Sequence, residues 1–149
     1  MPLRPASTAD FANLADPKLR LSWMRDCVEA VRTPGHLHYP LLNLVSTFID
    51  GLASAPPGKT KNGYVDYLTE HFPELCAAVG AEIFYAKYRC KAVHEFGLAD
   101  GFAIGRESGL AGKYADTQSI NGKDYLILNI DRLVQDFLAH IDKRIQAVR

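Results

Sequence analysis

The side chains best suited to chemistry stand close together in the segment RCKAVHEF, residues 89–96. Arg89 and His94 are separated by four residues, and Glu95 follows the histidine. A guanidinium group can bind two phosphate oxygens at once, and an imidazole with an ordinary pKa near ~6.5 can take up or release a proton near neutral pH. The segment therefore predicts phosphodiester chemistry, with Arg89 on the phosphate and His94 on the proton.

The spacing of this pair sets a geometric condition. At about 100° per residue, five helical positions place the two side chains about 140° apart around the axis. Arg89 and His94 converge on one ligand only if the helix ends or bends near His94, and Phe96-Gly97 suggests such an ending. The alternative is a salt-bridged surface cluster, or a set of cations at a helix C-terminus.

Three further side chains are candidates for the same site. Asp50 belongs to a polar stripe with Asn43 and Thr47 that is expected either to line the cleft or to form a solvated or dimer-facing edge. Tyr85 and Tyr88 have the chemistry to stack a base, and core packing is the alternative for both. Together with Glu95, they complete the predicted substrate-binding set.

The remaining histidines point to no site of their own. His36 and His38 have the alternate spacing of a metal pair, but no acidic residue or cysteine stands near them in sequence. His71 and His140 are expected on helix surfaces. Three widely spaced cysteines without a C-x-x-C pair argue against a zinc site or a disulfide framework. We therefore expect no metal and no cofactor.

Composition describes a globular protein with no overall charge. The 149 residues are 48% apolar and 23% charged, and 17 basic residues balance 17 acidic ones. No global positive field attracts nucleic acid, so RNA binding would depend on a local patch. No apolar run approaches the ~20 residues of a membrane span, and the N-terminus lacks the apolar core of a signal peptide. We expect a cytoplasmic protein without membrane contact.

Helices that position these residues are predicted along most of the chain. Asp16-Pro17 opens a helix to about Arg32, with an apolar repeat every four residues. The segment LHYPLLNLVSTFIDGLASA predicts a central helix, since it is apolar on most of its circumference. Residues 56–63 predict a loop, and a short helix follows from Tyr64 to about Phe72. The repeat in the first helix consists of Leu19, Trp23, Cys27 and Val31, with Leu21, Met24 and Val28 alongside.

The chemistry-bearing helix and the elements after it have their own signals. Pro73 can open a helix, and residues from about 75 to 95 predict a helix with Gly80 as its weak point. Its expected apolar face consists of Ile83, Ala86, Cys90 and Val93.

Residues 101–128 predict a small β-hairpin or three-stranded ribbon, with Asn121-Gly122 as a tight turn. Asn129 is expected to cap a C-terminal helix with a strongly periodic apolar face. The prediction is one mainly α domain over residues 1–149, with an N-terminal arm over residues 1–16.

The order of these features resembles the HEPN superfamily (higher eukaryotes and prokaryotes nucleotide-binding domain). The resemblance rests on YPLLNLVSTFIDGLA, a basic loop, and a helix with FYAKYRCKAVHEF, in which RCKAVH matches the signature of Arg, four to six residues, then His. It covers about Leu37 to Glu95 well and the last helix more loosely. It implies an up-and-down helical bundle and, in active members, metal-independent RNA cleavage by a homodimer.

Two functions from this resemblance stay open. One is an RNA-cleaving or nucleotide-handling enzyme of toxin or defence type, with Arg89 on the phosphate, His94 on the proton and a cognate antitoxin as a candidate partner. The other is a catalytically silent module for dimerisation, or for binding a protein partner or nucleotide, with Arg89 paired internally to Glu95 or Asp50. The intact Arg and His favour the first. Neutral charge favours the second, as does Cys90, where active ribonucleases usually carry Asn, Asp or His.

Overall fold

The computed structural model describes residues 16–53, 60–95 and 98–148, except for the side chains of residues 60 and 93–95. Its architecture is mainly helical, with a small three-stranded sheet before the C-terminal helix, as the sequence predicts. The elements in chain order are α1 (Pro17–Arg32), α2 (His38–Ala53), α3 (Thr60–His71), α4 (Pro73–Ala78), α5 (Ala81–Ile83), a π-helical segment (Phe84–Arg89), α6 (Cys90–Glu95), β1 (Phe102–Gly105), α7 (Glu107–Leu110), β2 (Ala115–Ile120), β3 (Lys123–Asn129) and α8 (Ile130–Ala147).

Helix α1 begins where the sequence predicts, but it buries a different face. The Asp16 carboxylate accepts hydrogen bonds from the backbone N–H groups of Lys18 (2.8 Å) and Leu19 (3.4 Å), and Pro17 occupies the first helical position. Its buried residues are Leu21, Met24 and Val28. Leu19 and Trp23, which begin the predicted repeat, are 47% and 48% exposed. Both sets of residues are apolar, so only the neighbouring helices decide which one faces the core.

Helix α2 is the central helix that its composition predicts. It contacts α1, α3, α8, the π-helical segment and α6. An element with neighbours on several sides must be apolar around most of its circumference. Its buried side chains are Leu41, Leu42, Val45, Ser46, Phe48 and Ile49.

Helix α3 extends into the segment predicted as a loop. It begins at Thr60, four residues before the predicted start, while residues 56–59 lie outside the described part of the chain. Tyr64 is fully buried and stacks on Phe84, with ring centroids 6.4 Å apart. Burial of this large ring holds the first turn of the helix in place, which outweighs the low helix propensity of Gly63.

The helix that leads to Arg89 is interrupted. Gly80 has a φ of +94°, which separates α4 from α5, and residues 84–89 then form a π-helical segment in which the Cys90 N–H bonds to the Tyr85 carbonyl. Hydrogen bonds from residue i+5 to residue i widen each turn, so the residues that share a face differ from those of an α-helix. The predicted face is therefore wrong: Ile83 is 43% exposed, and Phe84, Tyr88 and Arg89 are buried instead.

The sheet has the strand order β1-β3-β2. Strand β3 pairs parallel with β1 and antiparallel with β2. Asn121 and Gly122 connect β2 to β3 with φ of 53° and 79°, the positive values that a two-residue hairpin turn requires. Both the three-stranded form and the turn confirm the prediction.

Strand β3 continues directly into α8. The fully buried Asn129 caps this helix by accepting a hydrogen bond from the Arg132 N–H at 3.1 Å, and it donates to the Lys113 carbonyl at 2.9 Å. The predicted apolar face of α8 is confirmed. Its buried residues are Ile130, Leu133, Val134, Phe137, Leu138 and Ile141.

Candidate functional site

Arg89 lies at the end of the π-helical segment, against the second half of α2. One of its terminal nitrogens, Nη2, donates a hydrogen bond to the Asp50 carboxylate, and the two side chains form an ion pair. The Arg89 residue is only 8% exposed, whereas the Asp50 side chain keeps 25% of its surface in solvent. The guanidinium that the sequence predicts to bind phosphate is therefore paired with a carboxylate of the same chain, one of the two internal partners predicted for the silent module.

Aromatic rings cover the rest of the guanidinium. Its central carbon lies 5.1 Å from the ring centroid of Tyr85 and 5.8 Å from that of Tyr64. These distances allow cation–π attraction, which strengthens when the cation is desolvated. We call Arg89, Asp50, Tyr64 and Tyr85 the arginine centre.

The other nitrogens of Arg89 are also enclosed. Nη1 lies 3.6 Å from the Cys90 sulfur, which is a weak acceptor, and Nε is buried without a hydrogen-bond partner among the described residues. Burial opposes the charge of Arg89, but the Cys90 and Asp50 contacts outweigh it and raise the pKa of the guanidinium. Arg89 is thus a charged side chain held inside the protein.

The two predicted stacking tyrosines have different surroundings. Tyr85 is partly exposed, and its ring lies on Arg89 and 5.3 Å from the ring of Tyr64. Tyr88 is fully buried and donates a hydrogen bond from its hydroxyl to the Leu126 carbonyl at 2.7 Å. Tyr88 therefore links the π-helical segment to β3. The prediction that it stacks a base is wrong, because its ring has no exposed face.

Tyr64 belongs to this centre although its sequence position does not indicate it. Its hydroxyl donates to the Ser46 carbonyl at 3.3 Å, and burial is the main cause that raises its pKa. A tyrosine beside a basic, glycine-containing segment resembles an ordinary surface residue. Only the packing of α3 on the π-helical segment brings it to Arg89.

His94 and Glu95 are the last two residues of α6, more than one helical turn beyond Arg89. Their side chains fall outside the described part of the structure, so the predicted convergence of Arg89 and His94 stays a prediction. The pairing of Arg89 with Glu95 stays untested for the same reason.

A groove adjoins α6 on the side of the first turns of α2. It has a volume of about 340 Å³, and its described lining residues are Tyr39, Pro40, Asn43 and Ala92. This volume falls within the range of small-molecule sites, roughly 300–1,000 Å³. Tyr39 is 49% exposed, so a face of its ring is available to a ligand.

The predicted polar stripe of α2 does not act as one unit. Asn43 lines the groove, Asp50 pairs with Arg89, and the exposed Thr47 donates its hydroxyl to the Asn43 carbonyl at 2.8 Å. Asn43 and Asp50 are two turns apart, so one end of the stripe faces a groove and the other a buried cation. The sequence stripe thus contributes to two neighbouring places.

His36 and His38, just before and at the start of α2, make contacts with neighbouring loops. His38 Nε2 lies 3.2 Å from Arg106 Nη1, and His36 Nδ1 lies 3.3 Å from the Pro34 carbonyl. Within residues 16–53, 60–92 and 98–148, no three His, Cys, Asp or Glu side chains are grouped to hold a metal ion. No helix among the described residues is long and apolar enough to cross a bilayer.

Comparison with known proteins adds no relative. No family model, curated protein or solved structure matches the chain. The likeness to the HEPN superfamily thus rests on the motif and the order of elements.

Proposed function

We propose that this chain is a catalytically silent HEPN-like module that binds a partner or a nucleotide. The observation that carries the proposal is the state of Arg89, which is 8% exposed, paired with Asp50 and covered by Tyr85 and Tyr64. An arginine that binds a phosphate must present free N–H groups to it. Here those groups face side chains of the same chain.

Releasing Arg89 for a substrate would be costly. Removing one member of a buried ion pair generally destabilises a protein by about 3–5 kcal/mol, because the remaining charge is left without compensation. The Asp50 carboxylate would also repel an incoming phosphate, since both groups are negative. The arginine centre therefore supports a structural role, in which Arg89 joins α2, α3 and the π-helical segment.

The neighbouring groove supports the binding part of the proposal. Tyr39 offers an exposed aromatic ring, and the Asn43 amide lies on the same side of α2 with both a donor and an acceptor. A planar base can stack on the first and form hydrogen bonds with the second. A nucleotide is thus the ligand that we propose for the groove.

RNA cleavage by a homodimer is the second candidate. It is favoured by the position of α6, since Ala92 lines the groove and His94 follows two residues later on the same helix. The 25% exposure of the Asp50 side chain adds a route by which solvent reaches the ion pair. In this alternative, substrate phosphate replaces Asp50 on Arg89, and His94 transfers the proton.

A cleavage assay on mixed cellular RNA with EDTA separates the two. The silent module predicts that the wild type and His94→Ala leave RNA equally intact, while light scattering reports the oligomeric state of both. Cleavage by the wild type that His94→Ala and Arg89→Lys both abolish would overturn the silent module in favour of the nuclease.

Nucleotide binding is tested separately by calorimetry with AMP, GMP, CMP and UMP. We expect at least one of them to bind, and Tyr39→Ala and Asn43→Ala to weaken that binding about tenfold. Tyr125→Ala, a partly exposed tyrosine on β3, is the matched control and should bind as the wild type does. No binding of any nucleotide, or equal loss in all three variants, would contradict the role of the groove.

A further inference from the structure

A second cleft lies between α3, α4 and α8, away from the arginine centre. It has a volume of about 170 Å³, and its lining is mostly ionisable. We call it the histidine cleft. Its lining residues are His71, Pro73, Glu74, Asp136, Ala139, His140 and Lys143. His71 and His140, which are expected on helix surfaces, lie on α3 and α8 and are partly buried, with ring centroids 4.8 Å apart.

Consecutive hydrogen bonds determine which ring nitrogen of neutral His140 carries the hydrogen. Arg144 Nη1 donates to the Tyr67 hydroxyl at 2.9 Å, and that oxygen lies 2.5 Å from His140 Nε2. Arginine can only donate, so the Tyr67 oxygen accepts from Arg144, and we assign the Tyr67 O–H as the donor to His140 Nε2. Burial raises the pKa of Tyr67, which keeps this proton in place. Neutral His140 therefore carries its hydrogen on Nδ1, which has no partner among the described residues.

Lys143 and Arg144 bring positive charge to this end of the cleft, while the exposed Glu70 carboxylate lies 3.7 Å from His71 Nε2. Within the described ranges, neither Lys143 nor Arg144 has a carboxylate at ion-pairing distance, whereas Asp142 pairs with Arg25 at 3.2 Å. Burial, followed by the charges of His71, Arg144 and Lys143, lowers the pKa of His140 to about 4. The site thus combines uncompensated cations with a neutral N–H donor, and both favour an anion.

The opposite end of the cleft is acidic. Asp136 lies one turn before His140 on α8, and burial together with nearby Glu74 raises its pKa. Arg132 Nη2 pairs with Glu74 at 3.2 Å, which compensates one of the two carboxylates. This end limits an anion to the part of the cleft beyond Ala139, toward Lys143.

We propose that the end of the histidine cleft formed by His71, His140 and Lys143 binds a small anion, either a carboxylate or a phosphate. The Lys143 ammonium supplies charge, and His140 Nδ1–H supplies a directed hydrogen bond. Because the cleft and the groove at Tyr39 lie on different elements, this site does not depend on the proposed function.

The test is a titration of the full chain followed by long-range ¹H–¹⁵N NMR of the imidazoles. Inorganic phosphate and acetate are added in separate series, with sodium chloride keeping the ionic strength constant. We expect at least one series to shift the His140 and His71 signals saturably and to raise the pKa of His140, since a bound anion stabilises the imidazolium. The series that saturates at the lower concentration identifies the class of anion.

Lys143→Gln is the main variant, because Lys143 is exposed and its removal should leave the fold intact. We expect at least fivefold weaker binding. Lys18→Gln, an exposed lysine at the start of α1, should bind as the wild type does. Absence of a saturable shift in both series would overturn the proposal. Equal binding by the wild type and Lys143→Gln would also overturn it, by indicating an adventitious ion only.

Discussion

The arginine centre and the histidine cleft handle charge in opposite ways. At the first, a buried cation meets a carboxylate from another helix and two aromatic rings, so its charge is compensated inside the protein. At the second, no carboxylate among the described residues lies at ion-pairing distance from Lys143 or Arg144, and burial and nearby cations keep the neighbouring His140 neutral. The residue types are similar. Whether a cluster is closed by its own chain or left open to a ligand depends on its neighbours.

The largest effect should come from opening the arginine centre. Asp50→Ala leaves Arg89 buried without its counter-charge, so we expect the free energy of unfolding to fall by about 3 kcal/mol. Urea denaturation measures it. The double variant with Arg89→Met should recover part of the loss, because no charge then stays buried. Equal stability of Asp50→Ala and the wild type would show that solvent compensates Arg89 and that the centre is not closed.

A smaller loss of stability is expected when the hydrogen bond between the π-helical segment and the sheet is removed. Tyr88→Phe keeps the ring but leaves the Leu126 carbonyl without its 2.7 Å hydrogen bond. An unsatisfied buried acceptor costs about 1–2 kcal/mol, which thermal unfolding can detect. Tyr125→Phe, with a partly exposed ring on β3, is the control. If both variants had the same melting temperature as the wild type, the hydrogen bond of the Tyr88 hydroxyl would not contribute to stability.

The histidine cleft should make the fold sensitive to acid. The pKa of His140 is lowered from 6.5 to about 4 by burial and by neighbouring cations. The unfolded chain therefore binds a proton that the folded chain resists, so stability is complete above pH 6.5 and is lost as the pH falls toward 4. After allowance for the half-exposed site, we expect a loss of about 1–2 kcal/mol.

His140→Gln isolates this contribution, because glutamine is polar but does not titrate. Urea denaturation of both proteins at pH 7.5, 5.5 and 4.0 should show a smaller loss in the variant. Parallel curves for the two proteins would assign the acid sensitivity to other groups and would contradict the neutral state of His140.

The smallest effect is expected at a solvent-exposed ion pair. Arg32 Nη2 lies 2.8 Å from Glu29 on α1, and both side chains are more than 40% exposed. Glu29→Gln should change the free energy of unfolding by 0.5 kcal/mol or less, since water and salt screen such pairs. Urea denaturation should place it far below Asp50→Ala. A loss as large as that at Asp50 would remove burial as the explanation of the difference.

Local signals were sufficient for much of the fold. Asp16-Pro17, Asn121-Gly122 and Asn129 each act on backbone groups within a few residues, so their turns and caps could be predicted from sequence. Periodicity over four or five turns likewise identified the buried face of α8. The same reasoning failed at the helix of Ile83, because the π-helical segment changes the rotation between successive residues.

The candidate site was predictable only in part. The motif around Arg89 drew attention to the correct helix end, and Asp50 was among its proposed partners. Tyr64 was missed, and Tyr88 was assigned to a ligand although it binds a strand carbonyl. Aromatic residues at helical spacing have the same pattern whether they stack on a cation, fill the core or meet a substrate.

The sequence by itself determined the mainly helical class, the short sheet before the last helix, the capping residues and the candidate pair in RCKAVHEF. These depend on interactions within one element, for which the order of residues is enough. Only the tertiary structure decided that Arg89 faces Asp50, 39 positions earlier, and that Tyr67, Arg144 and His140 form one chain of hydrogen bonds. Burial and charge compensation depend on which distant side chains meet, and no local pattern contains that information.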